Sequence, residues 1–186
     1  MRIITGSAKG TKLMTLDGLN TRPTAERTKE AVFSKLQFDL EGRAVLDLFA
    51  GSGQMGLEAL SRGAAHAVLC DKEREAVDII AKNAEKTRLK DRCTILCADH
   101  AECLRRMAMM DKKFDIVFLD PPYASTLIAD SLTRLCEQKL LKPGAIVVCE
   151  SGSPDVDIPV GLEVVKQTKY GVAYVTILTP KQEEDQ

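Results

Sequence analysis

From residue 44 onward, short apolar runs alternate with longer stretches in which apolar and polar residues repeat at helical spacing. The apolar runs lack an in-and-out alternation, which is typical of parallel strands covered on both faces. Five buried strands are predicted over residues 44–46, 67–70, 93–96, 116–119 and 145–148, with helices near residues 54–62, 73–87, 99–109 and 125–139. Strands that alternate with helices in this way are typical of an α/β fold with a mostly parallel sheet.

The pattern changes after Pro159. Residues 162–169 and 172–178 alternate around Tyr170 and Gly171, which predicts an antiparallel hairpin. Its two strands would lie at the edge of the sheet and bring the total to seven.

The first 43 residues form a separate part of the pattern. They predict a short β-hairpin around residues 3–4 and 13–14, followed by a helix over about residues 25–40. We therefore expect an N-terminal extension over residues 1–43, a main domain over residues 44–180 and a frayed tail over residues 181–186.

Composition is typical of a folded, soluble chain. Of the 186 residues, 45% are hydrophobic and 28% are charged, close to the usual averages of about 45–50% and about 25%. The longest apolar run covers only residues 145–149, whereas a membrane-spanning helix needs about 20 residues and a secretory signal needs an apolar stretch of roughly 7–15. We expect a cytoplasmic protein without a membrane partner. The six cysteines form no C-x-x-C pair, so free thiols and no metal site are expected.

Charge is distributed unevenly along the chain. The net charge is −1, but residues 1–35 hold seven basic and three acidic residues and thus carry +4, leaving −5 for the rest. A basic segment on an acidic chain suits contact with phosphates. On charge alone, it is an equally good interpretation that residues 1–35 form a basic surface in contact only with solvent.

A glycine-rich turn over residues 47–56 leaves the first strand and opens a helix. It matches G-x-G-x-x-G with Gly51, Gly53 and Gly56. Asp71 follows 20 residues after Gly51 at the end of the second strand, where a carboxylate can accept both ribose hydroxyls of a nucleoside cofactor. Asp47 suits a cofactor with a cationic amino-acid end, because a buried carboxylate prefers an ammonium group to a pyrophosphate. Asp99, after the third strand, is either a contact for an adenine amine or a helix N-cap.

A second motif, Asp-Pro-Pro-Tyr at residues 120–123, follows the fourth strand. The carboxyl ends of the strands line the ligand crevice of an open α/β sheet. The prolines stiffen the turn and fix the directions of the Asp120 carboxylate and the Pro121 carbonyl, and Tyr123 offers a face on which a base can stack. Two acceptors that bind both hydrogens of an exocyclic aromatic amine turn its nitrogen toward an electrophile.

Together these residues resemble the class I S-adenosylmethionine-dependent methyltransferases, and within them the RsmD-like small-subunit ribosomal RNA guanine-N2 methyltransferases. The similarity covers nearly the whole chain and includes Arg2-Ile3-Ile4 and Arg22-Pro23-Thr24. The motif at residues 120–123 indicates only amine methylation, whereas the Arg-Pro-Thr segment is more specific to the family.

The resemblance implies a Rossmann-like fold, S-adenosylmethionine as the cofactor, and small-subunit ribosomal RNA or the small ribosomal subunit as the partner. It implies that the cofactor is lined by Asp47, Gly51, Gly53, Asp71 and Asp99, that the target base is held by Asp120, Pro121 and Tyr123, and that Arg22 and Arg27 approach the RNA. Two departures are visible. Asp71 replaces the longer Glu usual at its position, and Gln54-Met55 is a less common filling of the glycine turn.

Three other classes of protein share parts of this pattern. A DNA adenine-N6 methyltransferase also uses Asp-Pro-Pro-Tyr, but it usually carries a separate target-recognition region, for which these 186 residues leave no segment. A nicotinamide dehydrogenase shares the glycine pattern but explains neither Asp47 nor the second motif. A non-catalytic RNA-binding assembly factor would not need an intact Asp120.

Overall fold

The computed structural model describes residues 1–16, 23–36, 39–121 and 125–182. Seven strands are present: β1 (Ala44–Asp47), β2 (His66–Asp71), β3 (Cys93–Cys97), β4 (Phe114–Leu119), β5 (Leu141–Ser151), β6 (Leu162–Tyr170) and β7 (Ala173–Pro180). Five α-helices accompany them: α1 (Pro23–Leu36), α2 (Gln54–Ser61), α3 (Arg74–Lys86), α4 (His100–Met109) and α5 (Ser125–Glu137). A 3-10 turn at Lys90–Arg92 precedes β3. The predicted alternation of strands and helices is confirmed.

The strands form one sheet in the order β3-β2-β1-β4-β5-β7-β6. Strand β1 pairs in parallel with both β2 and β4, so the strand order reverses beside β1, which is the usual position of a ligand crevice in such sheets. Among the described strands, β7 alone runs in the direction opposite to the other six. The predicted hairpin is confirmed, but β7 lies inside the sheet between β5 and β6 and only β6 forms the edge.

Strand β5 is longer than the sequence pattern predicted. It begins at Leu141, which pairs with Phe114 of β4, four residues before the predicted start at residue 145. The local sequence Lys142-Pro143-Gly144 is more typical of a helix end than of a strand. The register shifts between Phe114 and Ile116, and Gly144 has a φ of 71°. An irregular ladder of this kind accommodates a proline that lacks an N–H.

Apolar clusters cover both faces of the sheet. One cluster joins residues of the first 40 positions, such as Ile3 and Phe33, to α2, α3 and β4. The other packs α4 and α5 against the opposite face, with Leu104 and Leu132 fully buried. All six residues of β4 are buried, which explains its unbroken apolar sequence. No helix of the described ranges is long and apolar enough to cross a membrane.

Residues 1–16, here named the N-terminal strap, lie against α2. Arg2 and Lys12 form an isolated antiparallel bridge, so the predicted N-terminal hairpin is present in minimal form. The backbone N–H groups of Ile4 and Thr5 donate to the two carboxylate oxygens of Glu58 at 2.8 and 3.0 Å. These two N–H groups have no partner in a regular strand or helix, and the buried side chain of Glu58 supplies both acceptors.

Glu58 also anchors two cations. The Lys29 Nζ lies 2.9 Å from one oxygen of Glu58, with 2% and 0% of the two side chains exposed. Arg62 Nε lies 2.8 Å from the other oxygen. The buried carboxylate therefore joins the strap, α1 and α2 in one charged network.

Two further contacts fix the strap closely to the main domain. A Cβ on Gly6, whose φ is 88°, would lie 1.8 Å from the carbonyl oxygen of Ser61, so a side chain cannot be accommodated there. The buried amide of Asn83 accepts from the N–H of Met14 at 2.8 Å and donates to the carbonyls of Met14 and Ser52 at 2.9 Å each. Asn83 thus connects the strap directly to the glycine turn.

Candidate active site

Four acidic residues lie at the carboxyl edge of the sheet. Asp47 ends β1 and Asp71 ends β2, while Asp120 directly follows β4. Leu119 is in register with Cys149, so Asp120 and Glu150 occupy neighbouring positions on adjacent strands, which lie about 4.8 Å apart. The acids converge at the point where the strand order reverses.

The glycine turn is held by the first two of these acids. The N–H of Gly56 donates to Asp47 Oδ2, and the N–H of Gly51 donates to Asp71 Oδ2, both at 2.9 Å. Gly51 and Gly53 have φ values of 55° and 77°, in the region that favours glycine. The structure therefore brings the predicted cofactor residues Asp47, Gly51, Gly53 and Asp71 together around one turn.

The Asp47 carboxylate is unusual because it is buried away from water and yet has no cationic partner among the described residues. Its exposed fraction is 3%, and none of the ion pairs among the described residues involves it. Burial raises its pKa to about 7, the Gly56 amide opposes this effect, and the charge of Asp71 adds to it. A positively charged ligand would relieve this cost.

Asp71 and Asp99 have structural duties as well. The second oxygen of Asp71 accepts the N–H of Glu73 at 3.0 Å. Asp99 Oδ1 caps α4 by accepting the N–H of Glu102 at 2.8 Å, so the N-cap alternative is confirmed. A carboxylate has about four acceptor positions, and the other oxygen of the exposed Asp99 takes no part in this cap. An adenine contact by Asp99 stays a prediction.

Asp120 reaches solvent but stands in a recess of the protein. Partial loss of hydration raises its pKa, and the neighbouring charges of Glu150 and Asp47 raise it further. Burial likewise raises the pKa of Glu150. Pro121 follows as a buried residue, which fixes the start of the turn.

A cavity of about 50 Å³ opens beside these two carboxylates, and its lining includes Lys29, Gln54, Phe118, Asp120 and Glu150. The Oε1 atom of Gln54 is buried and has no hydrogen-bond partner. Sequence reasoning missed Glu150 as a site residue. The available signal was the one that identified the other acids, namely a carboxylate directly after a buried apolar run.

Some predicted site residues are not part of this arrangement. Tyr123 and Arg22 lie outside the described residues, and their roles stay predictions. Arg27 is exposed on α1. Within the described ranges, no group of three or more His, Cys, Asp or Glu side chains is placed to hold a metal ion.

Comparison with known proteins gives matches over most of the chain. The family model described as Conserved hypothetical protein 95 matches residues 1–179. YlbH of Bacillus subtilis, a provisionally named rRNA methyltransferase, is 34% identical over 180 residues, covering 95% of this chain and 97% of the relative. Ribosomal RNA small subunit methyltransferase D of Haemophilus influenzae is 32% identical over 151 residues, covering 81% and 78%. The solved structure of yhhF from Escherichia coli, a provisionally assigned methyltransferase, superimposes with a TM-score of 0.87 at 28% identity over 98% of this chain and 99% of that one.

Proposed function

The chain belongs to the RsmD-like family of small-subunit ribosomal RNA methyltransferases, and from this membership we propose that it methylates the exocyclic N2 amine of one guanine in 16S ribosomal RNA. S-adenosylmethionine is its cofactor. The main support for the proposal is that the glycine turn and the Asp-Pro-Pro-Tyr motif lie at the carboxyl ends of two adjacent strands. Asp47 ends β1 and is followed by the glycine turn, and Asp120 directly follows the adjacent β4. A cofactor site and an amine-binding turn are thus neighbours.

The residues present fit this cofactor. The buried Asp47 carboxylate suits a cationic amino-acid end, and Asp71 has acceptor positions left for ribose hydroxyls after holding the turn. When bound, S-adenosylmethionine supplies an electrophilic methyl group on a sulfonium. The shorter Asp71 in place of the usual Glu is compatible with this role because Asp71 also holds Gly51 at 2.9 Å.

In this proposal the residues of the Asp-Pro-Pro-Tyr motif promote the reaction by orienting the target amine. We assign Asp120 to accept one N2 hydrogen, the Pro121 carbonyl to accept the other, and Tyr123 to stack on the base. With both hydrogens held, the nitrogen lone pair points toward the methyl donor and the positive charge that develops on the nitrogen is stabilised. Residues 1–43 would serve as the RNA-contacting extension of the methyltransferase domain at 44–180, acting in the cytoplasm on ribosomal RNA or the small subunit.

Nucleoside mass analysis tests this function. Ribosomal RNA from cells lacking the protein should lack one N2-methylguanosine, and mapping identifies its position. Wild-type protein should restore the methyl group, whereas the Asp120→Ala variant at equal abundance should not. An unchanged nucleoside profile, or loss of a methylated adenosine instead, would contradict the proposal.

We expect the Asp47→Ala and Asp71→Ala variants to bind S-adenosylmethionine about 10- to 100-fold more weakly, because each loses a charge-assisted contact. Calorimetry measures the change, and Asp78→Ala, an exposed residue of α3, is the matched control. Affinity should also fall as pH is lowered through about 7, where Asp47 becomes protonated. If both variants bind like the wild type, or if NADH binds instead, the cofactor assignment is wrong.

The double variant Arg22→Ala with Arg27→Ala should bind small-subunit RNA more weakly and with a flatter salt dependence. Each phosphate contact contributes roughly 0.7 to 0.9 to the slope of log affinity against log salt, so the slope should fall by up to about 2. The control is the double variant Lys112→Ala with Lys113→Ala. This exposed pair lies just before β4, at the amino ends of the parallel strands and away from the candidate site. Equal losses in both double variants would contradict a specific role of the N-terminal arginines.

A further inference from the structure

Glu150 is a half-buried carboxylate that the proposed chemistry does not use. It lies on β5 beside the position of Asp120 and lines the same cavity. No described residue forms an ion pair or a hydrogen bond with its side chain. A carboxylate kept there only for stability would be expected to have a partner, because an unpaired charge that has lost part of its hydration is costly.

The cavity beside Glu150 is lined largely by apolar side chains, and three of its polar residues, Gln54, Asp120 and Glu150, carry hydrogen-bond acceptors. The buried Oε1 of Gln54 has no partner on the same cavity wall, and Asp120 adds a second carboxylate. The cation on this wall, Lys29, is engaged by Glu58 at 2.9 Å and by the Arg2 carbonyl at 3.0 Å. The polar groups of this wall therefore offer mainly acceptors to the edge of a base that lies against it.

The purine bases differ in what they offer to such a wall. The edge of guanine beside its N2 amine carries an N1–H donor, so N1 and N2 together present three hydrogens. Adenine has an amine at C6, but its adjacent N1 is an acceptor. A carboxylate next to the amine-binding residue would accept a hydrogen bond from the guanine N1–H. It would repel the adenine N1, because two acceptors that face each other have no hydrogen between them and binding is weakened.

We propose that Glu150 accepts the N1–H of the target guanine and thereby selects guanine over adenine at the site where Asp120 holds the exocyclic amine. The inference rests on the proposed guanine-N2 function and deepens it. It also separates this enzyme from the adenine-N6 methyltransferases, which share Asp-Pro-Pro-Tyr but act on a base with an acceptor at that position. Gln54 supplies a further acceptor at the same edge.

The test pairs a change in the enzyme with a change in the base. The substrate is an RNA fragment around the mapped guanine, made with either guanine or 2-aminopurine, which keeps the 2-amine but has an acceptor at N1. Wild-type enzyme should methylate the guanine fragment at least about 100-fold faster in single-turnover assays. The Glu150→Gln variant should narrow this preference by about 10- to 100-fold, because an amide can accept from guanine or donate to the N1 of 2-aminopurine.

The controls separate the possible causes of failure. The Glu163→Gln variant, changed at an exposed position of β6, should keep the wild-type preference. If Glu150→Gln is unstable in a thermal melt, Glu150→Asp is used in its place. The Asp variant keeps the negative charge, but its shorter side chain moves the carboxylate away from the guanine N1–H. An unchanged preference in folded variants with normal cofactor affinity would overturn the role of Glu150. A wild-type enzyme that makes no N2-methylguanosine would instead overturn the proposed function.

Discussion

The Asp120→Asn variant is expected to transfer methyl groups about 100-fold more slowly than the wild type, with unchanged cofactor affinity. The asparagine carbonyl can still accept one hydrogen of the target amine, but it provides less stabilisation for the positive charge that develops on nitrogen. The Asp120→Ala variant loses both effects and should be slower still. Single-turnover assays with saturating RNA and cofactor measure the transfer step directly.

This expectation distinguishes orientation from base catalysis by Asp120. An exocyclic guanine amine becomes acidic only after the methyl group arrives, so early proton removal by a carboxylate with an ordinary pKa of ~3.9 is steeply uphill. The recess raises the pKa of Asp120 through lost hydration and through the charges of Glu150 and Asp47. A raised pKa still leaves the carboxylate a far weaker base than the amine anion. Activity should decline as the pH falls through this raised pKa, because protonated Asp120 loses acceptor capacity.

The comparison needs a neutral reference. The Asp91→Asn variant, at an exposed position of the 3-10 turn, should retain wild-type rates. If the Asn and Ala variants at position 120 are equally inactive while both bind RNA and cofactor normally, Asp120 acts as a base and the orienting role is wrong.

The Glu58→Ala variant is expected to lose roughly 3–5 kcal/mol of unfolding free energy, the usual cost of breaking a buried ion pair. The substitution leaves the buried Lys29 ammonium without its partner at 2.9 Å and removes the acceptor for two N–H groups of the strap. Urea unfolding at neutral pH measures the loss. The exposed Glu75 of α3 provides the matched control, Glu75→Ala, which should change the free energy by less than about 0.5 kcal/mol.

The contribution of Glu58 should also depend on pH. Burial alone would raise its pKa, but the Lys29 charge, the Ile4 amide and Arg62 outweigh this effect and lower the pKa. A carboxyl group with a lowered folded-state pKa stabilises the protein above its unfolded pKa of ~4.3 and loses that contribution as the pH falls through the folded value. The stability difference between wild type and Glu58→Gln should therefore shrink below about pH 4. A difference that stays constant between pH 7 and pH 3 would show that ionisation of Glu58 is irrelevant.

The sequence predicted those features that depend on nearby residues. Buried strands such as β4 are visible as unbroken apolar runs, and Asp47 and Asp71 are visible because each ends such a run beside a glycine turn. Glu150 follows the same rule, yet it was missed because no recognised motif surrounds it. The length of β5 was also missed, because Lys142-Pro143-Gly144 has the local character of a helix end while its actual pairing is with β4.

The polar contacts that hold the fold were beyond prediction for a different reason. Glu58 and Asn83 bind backbone groups 54 and 69 residues away. Asp115 accepts the N–H of Ala44, 71 residues away, at 2.8 Å. Nothing in the local spacing around an isolated Glu, Asn or Asp indicates such a distant partner, since it exists only once the sheet has formed.

The strap also constrains the order in which a newly made chain can fold. Residues 1–16 are synthesised before their partners Glu58, Ser61 and Asn83, which lie 53 to 69 residues further along. The strap therefore cannot complete its contacts until the glycine turn, α2 and most of α3 have been made. Contacts so distant in sequence form late, because the intervening chain must first lose its freedom. At this end of the molecule, folding therefore proceeds against the direction of synthesis, and a chain interrupted before residue 58 carries a strap that lacks all three of these partners.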